Sequence, residues 1–404
     1  MFPLPAARMY LASSFIWGFL FYMMATVSMI YQVEMAGLNA LELVLVGTAL
    51  ELSAFLFEIP TGVVADTYSR RVSVITGFFI TGFAFIISGS FPVFEIIALG
   101  SFIWGIGWTF ISGAHEAWLA DEVGESEAAR LYLRGQKFSS YGSFVGITLA
   151  VLIGSIQINY PFILAGVLFC LWGVFAWFAM EEINFKPVDV ENRSSFQKMR
   201  TTLQAGVKTI RGSSTLILLM VVGVVFGTFS EGYDRLSTAH LLRSFEFPEP
   251  WGLAPVVLFG IFVAVGNLLS IWLVNITQRH VDTDEAKQIA NMLSLLTALI
   301  LTGVFFFALS GYIWLAIAMY VLLVPLRRVI DPLTIAWLNQ HIESEVRATV
   351  ISMHSQSDAL GQIGGGPAIG LVGREFGLRI AIATTALLLV PAVWLYQRSY
   401  GDKT

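Results

Sequence analysis

Long runs of apolar residues, separated by short polar segments, dominate the pattern of this chain. The runs are continuous rather than alternating, which is not the period of a membrane barrel. A helix needs roughly 20 mostly apolar residues to cross a hydrocarbon core about 30 Å thick, because lipid offers the backbone no hydrogen-bond partner. The pattern predicts twelve membrane-spanning helices, at residues 10–33, 40–64, 72–90, 94–118, 132–156, 159–180, 214–239, 251–277, 286–308, 311–337, 347–371 and 377–397.

The composition agrees with this pattern. Of the 404 residues 56% are hydrophobic and 13% are charged. Soluble globular chains average about 25% charged residues, so an ordinary water-soluble domain is excluded. The first apolar segment, 10–33, is too long for a cleaved signal peptide and is followed by many more. We therefore expect an all-α protein that crosses the lipid bilayer many times.

Several kinds of chemistry find no support in the sequence. Cys170 is the only cysteine, so neither a disulfide nor a thiolate metal site can be argued, and we expect no metal and no cofactor. The net charge of −5 gives no reason to expect a nucleic-acid partner. Nucleotide-binding motifs are absent, which disfavours transport driven by ATP.

The basic residues fix an expected orientation. Lysine and arginine in short loops mark the cytoplasmic side of a membrane protein. Most of the 23 Lys and Arg residues fall on one face of the twelve-span arrangement, whereas the opposite face holds only Arg243, Arg374 and Arg379. We expect both termini on the cytoplasmic side of the plasma (inner) membrane.

The longest polar stretch, 181–213, divides the chain into two halves of six spans. Within it, apolar and basic residues each recur at helical spacing (Phe196, Met199, Leu203, Val207 and Ile210; Lys198, Arg200, Lys208 and Arg211). The pattern favours an amphipathic helix on the cytoplasmic surface, and a solvated linker is the alternative. We predict three parts: bundle 1–180, linker 181–213 and bundle 214–404.

The segment "GVVADTYSRR", residues 62–71, carries a specific motif between spans two and three: a glycine, an acidic residue four positions later, then a small residue and two basic ones. Together with the two six-span halves and the basic linker, this motif resembles the signature of the twelve-helix transporters of the major facilitator superfamily, including its bacterial drug-efflux-like members. The resemblance implies an all-α membrane protein of twelve transmembrane helices in two six-helix bundles.

In that family the motif ties the two halves together when the cytoplasmic side is shut. We call Gly62, Asp66, Arg70, Arg71 and Asp121 the predicted latch. Glycine permits close approach of another helix, the aspartate can meet the positive N-terminal end of a helix, and an arginine can pair with Asp121. The alternative is a simple connector whose arginines follow the positive-inside rule.

The sequence also departs from the drug-efflux pattern. The equivalent loop of the second half, "TQRHVDTDEAKQ", has neither a glycine nor paired basic residues. Span four has no arginine, and span five has no glycine-proline pair. The direction of transport is therefore an open choice between export and uptake.

Ionisable residues inside spans are functional candidates, because each costs a few kcal/mol to insert. His354 and Asp358 in span eleven stand one turn apart, and a histidine beside a carboxylate can titrate near physiological pH; a packing pair is the alternative. Pairs four apart, Glu231–Arg235 and Arg327–Asp331, can neutralise each other. The proton-coupling candidates are Asp358, His354, Glu231, Asp234, Glu51 and Glu58, with Asp358 first.

The resemblance assigns spans one, four, seven and ten to the central cavity. Span four places Trp104, Trp108 and His115 at helical spacing, which predicts an aromatic wall or, alternatively, ordinary packing. The substrate-cavity candidates are Trp104, Trp108, His115, Tyr22, Arg235, Arg327 and Asp331. In "GQIGGGPAIG" the small residues and the proline predict a hinge or sliding helix contact at Gly361, Gly365, Gly366, Pro367 and Gly370.

We expect a secondary active transporter, monomeric and coupled to protons, that exports a small amphipathic solute by alternating access. Uptake of a nutrient or siderophore-like solute is the alternative. An intramembrane enzyme is disfavoured because the spans carry no HExxH, GxSxG or paired-aspartate pattern, and a channel because no filter sequence is evident. The protein is not expected to be an enzyme.

Overall fold

The computed structural model describes residues 4–187, 204–246, 254–282, 285–342 and 346–398, and the regular structure within these ranges is helical, without strands. The helices are α1 (Ala6–Ile30, continued by a π-helical turn, Tyr31–Met35), α2 (Ala40–Thr67), α3 (Arg70–Ser90), α4 (Phe94–Ile111), α5 (Ala114–Val123), α6 (Glu125–Gly154), α7 (Tyr160–Ala179), α8 (204–211), α9 (Ser214–Ser244), α10 (Pro255–His280), α11 (Ala286–Leu309), α12 (Ile313–Asn339), α13 (Arg347–Phe376) and α14 (Leu378–Arg398).

The all-α prediction is confirmed, and each of the twelve predicted spans falls on a helix. Eleven helical segments in the described ranges are long and apolar enough to cross a membrane. The twelfth long helix, α13, has 30 residues and the sequence RATVISMHSQSDALGQIGGGPAIGLVGREF. Its first half is rich in serine, glutamine and charged residues, which lowers the hydropathy of the helix.

The fourth predicted span, 94–118, is a broken helix. α4 ends at Ile111, and Gly113 adopts a φ of 72°, a left-handed conformation that glycine takes without steric cost. α5 restarts at Ala114 and ends at Val123, so the span is longer than predicted. The break turns the residues of α5 relative to those of α4.

One compact unit comprises Met1–Leu38, Ala49–Glu191 and Trp251–Gly260. Within it α1 packs along α6, and α3 packs against both α4 and α7. Glycines bring α1 and α6 close: a Cβ atom on Gly142 would lie 2.1 Å from the carbonyl oxygen of Phe15, and one on Gly146 would lie 2.2 Å from that of Phe19. Small residues at a helix interface permit this approach.

The second unit comprises Asn39–Thr48, Asn192–Pro250 and Ile261–Thr404. α9 packs against α13 and α14, and α11 packs against α12 and α14. A Cβ atom on Gly227 would lie 2.0 Å from the carbonyl oxygen of Asp358, and one on Gly361 would lie 2.1 Å from that of Val224. Thr228 Oγ1 donates a hydrogen bond of 3.0 Å to the carbonyl oxygen of Gly361. We call this contact between α9 and α13 the glycine seam.

The start of α2 belongs to the second unit, although the predicted division assigns residues 39–48 to the first half. The division at 181–213 itself stays a prediction, because residues 188–203 lie outside the described ranges, and with them Phe196, Lys198, Met199, Arg200 and Leu203. The remainder of the predicted amphipathic helix is α8, where Val207 and Ile210 are half-buried and Lys208 and Arg211 are exposed.

Candidate functional site

The second unit holds a cavity of about 490 Å³ among α9, α12, α13 and α14. Its apolar wall comes from Val222, Phe226, Ile330 and Ile335. Its polar lining is Ser230, Asp234, Arg327, Asp331, Thr334, His354, Ser355, Asp358, Gln362 and Tyr396. Ionisable side chains are rare in membrane helices, so the Asp, Arg and His residues around this cavity make it the candidate functional site.

A bidentate ion pair lies on one side of this cavity. Arg327 Nη1 and Nη2 donate to the two carboxylate oxygens of Asp234, the second bond measuring 2.7 Å. The guanidinium carbon also lies 5.5 Å from the ring centroids of Phe229 and Tyr233. Planar pairing and ring contact together use the geometry that distinguishes arginine from lysine.

This pairing differs from the sequence-based expectation, which put Arg327 with Asp331 on its own helix. Arg327 pairs with Asp234 on α9 instead, because the fork of the guanidinium meets both carboxylate oxygens there. Asp331 lines the same cavity from the neighbouring turn of α12. The cavity is therefore lined by one ion pair, Arg327–Asp234, and by the carboxyl groups of Asp331 and Asp358.

Glu231 and Arg235 form the expected pair, with Arg235 Nε donating to Glu231 Oε1 at 3.1 Å. The carboxylate is 3% exposed. Glycines on α2 and α13 make room for it: a Cβ atom on Gly47 would lie 1.9 Å from Glu231 Oε1, and one on Gly366 would lie 2.8 Å from Glu231 Cγ. Neither member of the pair lines the 490 Å³ cavity, and the assignment of Arg235 to a substrate cavity stays a prediction.

His354 and Asp358 both face the cavity from α13. The His354 ring fits against α9 because position 223 is glycine; a Cβ atom there would lie 3.2 Å from Nδ1 and Cε1. Asp358 Oδ2 accepts a hydrogen bond of 2.7 Å from the Gln362 side-chain amide. One helix face therefore presents an imidazole, a carboxyl and an amide in successive turns.

The predicted latch forms an ion-pair group at the ends of α2, α3 and α5. Arg70 lies between two carboxylates: Nη1 donates to Asp121 Oδ2 at 2.5 Å, and Nη2 donates to Asp66 Oδ1 at 3.2 Å. Arg70 Nη1 also donates to the Ala117 carbonyl oxygen at 2.9 Å. The expected contact between Arg70 and Asp121 is present.

Two other expectations about the latch stay predictions. Within the described ranges, a Cβ atom on Gly62 would meet no atom within 4 Å. The Asp66 carboxylate is 51% exposed and pairs with the side chain of Arg70, the first residue of α3. The latch as a conformational device stays a prediction.

Sequence reasoning missed Glu182, which holds the start of α3. Its carboxylate accepts hydrogen bonds from Ser69 Oγ at 2.5 Å and from the Arg71 backbone N–H at 2.9 Å. The Arg71 guanidinium donates to the Trp177 carbonyl oxygen at the end of α7. The signal available in the sequence was a pair of glutamates directly after span six, on the same membrane side as the two arginines.

A family model for the major facilitator superfamily matches residues 9–326. The chain belongs to this superfamily. The uncharacterized MFS-type transporter YxaM of Bacillus subtilis (strain 168) is 25% identical over 365 residues, which cover 88% of this chain and 86% of that protein.

Solved transporters share the fold. The nucleoside transporter NupG has a TM-score of 0.74 at 14% identity, covering 98% of this chain and 99% of that chain. A POT family transporter in complex with 5-aminolevulinic acid has a TM-score of 0.70 at 13% identity, covering 98% of this chain and 96% of that chain. The protein is a multi-pass membrane transporter of the superfamily and not an enzyme.

The first unit of this superfamily member holds a smaller cavity of about 230 Å³ among α1 and α3–α6. Trp108 and His115 line it, as Tyr10 and Trp17 of α1 do. Trp104 packs against Phe85 (centroids 5.4 Å apart) and lines neither of these two cavities, so its place in the aromatic wall stays a prediction.

Three other predicted residues also line neither of these two cavities: Tyr22, Glu51 and Glu58. Tyr22 packs edge-on against Phe21 at a centroid distance of 5.3 Å. Glu58 is exposed and Glu51 is half-buried on α2. Of the proton-coupling candidates, Asp234, His354 and Asp358 are thus brought together.

The predicted hinge residues lie in close contact along α13, which continues as a helix through Pro367. A Cβ atom on Gly365 would lie 2.2 Å from Thr228, and one on Gly370 would lie 3.1 Å from Leu41 and Val44. This packing favours a sliding contact over a free joint. Motion at this site stays a prediction.

We expect the latch to be needed for transport and not for assembly. Asp66→Asn removes one of the two carboxylates on Arg70, and Gly62→Leu fills a space that is open here but closes if another helix approaches. Both changes should cripple transport by the reconstituted protein while its amount in the membrane stays near that of the parent. Tyr68→Leu, at a side chain 79% exposed in the same turn, is the matched control. Parental rates in both variants would make the turn a plain connector.

Proposed function

We propose that the protein is a proton-coupled secondary transporter that exports a small amphipathic solute by alternating access. The observation that carries the proposal is the 490 Å³ cavity of the second unit, which gathers Asp234, Arg327, Asp331, His354 and Asp358 beside an apolar wall. A cavity of this size suits a small organic molecule. Its mixed lining suits a solute with one apolar and one polar end.

In this proposal Asp358 carries the proton. Its carboxyl faces the cavity and is oriented by the Gln362 amide, and His354 stands one turn earlier on the same helix face. Carboxyls and histidines inside membrane helices form the proton relays of many transporters. The proton and the solute would then share one cavity, which is the simplest way to make their movements depend on each other.

Arg327 and Asp234 are assigned to the solute. The two residues pair with each other within the second unit, and the Asp234 carboxylate is still 50% exposed. A solute with a charged group can compete for either partner, because the Asp234 carboxylate is half exposed and both residues line the cavity. Substrate binding would thus open the pair, and release of the solute would close it again.

The test begins with purified protein and a panel of aromatic amines, amphipathic cations, nucleosides and short peptides, screened for thermal stabilisation, because a bound ligand raises the stability of the folded state. A stabilising compound is then followed in proteoliposomes under pH gradients of both signs. Accumulation driven by an acidic lumen indicates exchange against protons and supports export. Accumulation driven by an acidic exterior indicates uptake with protons, and indifference to the gradient contradicts proton coupling.

In the proposed arrangement the protein is a monomer in a bacterial-type inner membrane. Both termini and the 181–213 linker lie on the cytoplasmic side of that membrane. In a Cys170→Ala background, cysteines introduced at Ser195 and Glu249 should react with an impermeant thiol reagent from opposite sides. The reason is that basic residues, which mark the cytoplasmic side, are frequent around residue 195 and scarce around residue 249. Reaction from the same side would overturn the twelve-span topology.

A further inference from the structure

The 230 Å³ cavity of the first unit has an aromatic wall. Trp17 of α1 and Trp108 of α4 lie 5.0 Å apart between ring centroids. Trp17 also contacts Phe169, at 5.5 Å, and Phe78 completes the apolar lining. Such rings offer faces and edges to another ring, and aromatic pairs contribute about 0.5–1.5 kcal/mol beyond the area that they bury.

The same cavity is also lined by Ser13 and His115, each of which has a buried polar atom without a partner in the described ranges. Ser13 is 1% exposed, and its Oγ has no hydrogen-bond partner within the described ranges. His115 Nε2 is buried and has none there either, although its ring lies 4.8 Å from that of Tyr10. A buried hydroxyl or imidazole nitrogen without a partner costs about 1–3 kcal/mol, so native proteins leave few of them.

These atoms are not explained by helix packing. The α1–α6 contact is made by glycines and by the Ser139 carbonyl oxygen, which would lie 2.1 Å from a Cβ atom on Gly18. Ser14, one residue after Ser13, bonds the Tyr10 carbonyl oxygen within its own helix at 2.9 Å. Ser13 instead faces the cavity with its hydroxyl free.

We propose that this cavity is a binding site for a single aromatic group bearing a hydroxyl or a ring N–H, as in a phenol or an indole. The ring would lie against Trp17 and Trp108, and its polar group would bond Ser13 Oγ and His115 Nε2. An engineered apolar cavity of about 150 Å³ admits benzene, so 230 Å³ has room for a ring and its substituent. The site rests on the proposed function only in taking this ring to be part of the transported solute.

The test measures binding of phenol and indole to the purified full-length protein in detergent, by saturation-transfer NMR. Cyclohexanol lacks the ring and toluene lacks the polar group, so both should bind at least about five-fold more weakly than phenol. Ser13→Ala should weaken phenol binding about five-fold through the lost hydrogen bond. Trp108→Leu should weaken it about ten-fold through the lost ring contact.

Thr81→Val is the matched control, because Thr81 Oγ1 is another buried hydroxyl without a partner in the described ranges and lies outside the cavity. This variant should bind phenol like the parent. Equal binding of cyclohexanol and phenol, or equal weakening by Thr81→Val and Ser13→Ala, would overturn the site. Trp108 is 41% exposed, so its variant tests the site even if Ser13→Ala does not fold.

The result is separable from the transport proposal. Binding is measured without a pH gradient, and Asp358→Asn, in the other unit, should bind phenol like the parent. Phenol binding that depends on Ser13 and Trp108 therefore stands even if no proton coupling is found. Conversely, gradient-driven transport with no phenol binding would leave the proposed function intact and remove this site.

Discussion

Asp358→Asn should abolish accumulation driven by a pH gradient while preserving ligand binding and exchange without a gradient. Asparagine has nearly the shape of aspartate and can still bond the Gln362 side chain, which donates to Asp358 Oδ2 at 2.7 Å in the parent. It cannot take up and release a proton. Flux in proteoliposomes, with binding followed by thermal stabilisation, separates the two effects.

Glu95→Gln is the matched control for this experiment, because Glu95 is an exposed carboxylate in the first turn of α4 that lines neither cavity. It should keep gradient-driven flux near the parental level. Unchanged flux in Asp358→Asn would move the proton site elsewhere, and Glu51 and Glu58 would be the next carboxyls to test. Loss of both flux and binding would instead make Asp358 a residue of the fold or of the ligand site.

The second large effect is expected at the pair of Arg327 and Asp234. Arg327→Gln and Asp234→Asn should each lower the melting temperature and reduce transport at least about ten-fold, because each leaves a charge without its two-pronged partner. Arg327→Lys should restore little of the stability or the transport, since an ammonium group cannot make both bonds to the Asp234 carboxylate. Thermal melts and initial rates are the measurements.

The double variant Asp234→Asn with Arg327→Gln decides whether the two residues act as a unit. It should recover much of the stability lost by either single change, because neither charge then lacks a partner, yet it should stay inactive. Stability losses that simply add would show that the contact contributes little. Parental transport in the double variant would remove the pair from the proposed solute site.

The fold could be predicted from the sequence because its signal, the run of apolar residues, is local along the chain. Each apolar run had to be a helix, whatever its neighbours, since lipid leaves the backbone no other way to satisfy its hydrogen bonds. The same local logic found the Glu231–Arg235 pair, whose members are four residues apart. The contact of Arg70 with Asp121 came from the family motif rather than from spacing.

The sites were less readable because they depend on distances between helices. Nothing along the chain says that Arg327 meets Asp234, 93 positions away, rather than Asp331. Trp104 and Trp108 lie one turn apart on α4, yet only Trp108 lines the smaller cavity, because Trp104 packs against Phe85 on another helix. Ser13 escaped notice, since a lone serine in an apolar span has no pattern until its surroundings are known.

The glycine seam between α9 and α13 has a consequence for how this gene can vary. Any single-base change in a glycine codon that alters the amino acid introduces a side chain with a Cβ atom. At Gly227 and Gly361 that atom would lie 2.0 and 2.1 Å from a backbone oxygen of the facing helix, and backbone cannot move aside as a side-chain tip can. Both codons therefore do not tolerate a one-step substitution, whereas the neighbouring Leu360 is exposed and can be replaced, and natural variants should show this contrast.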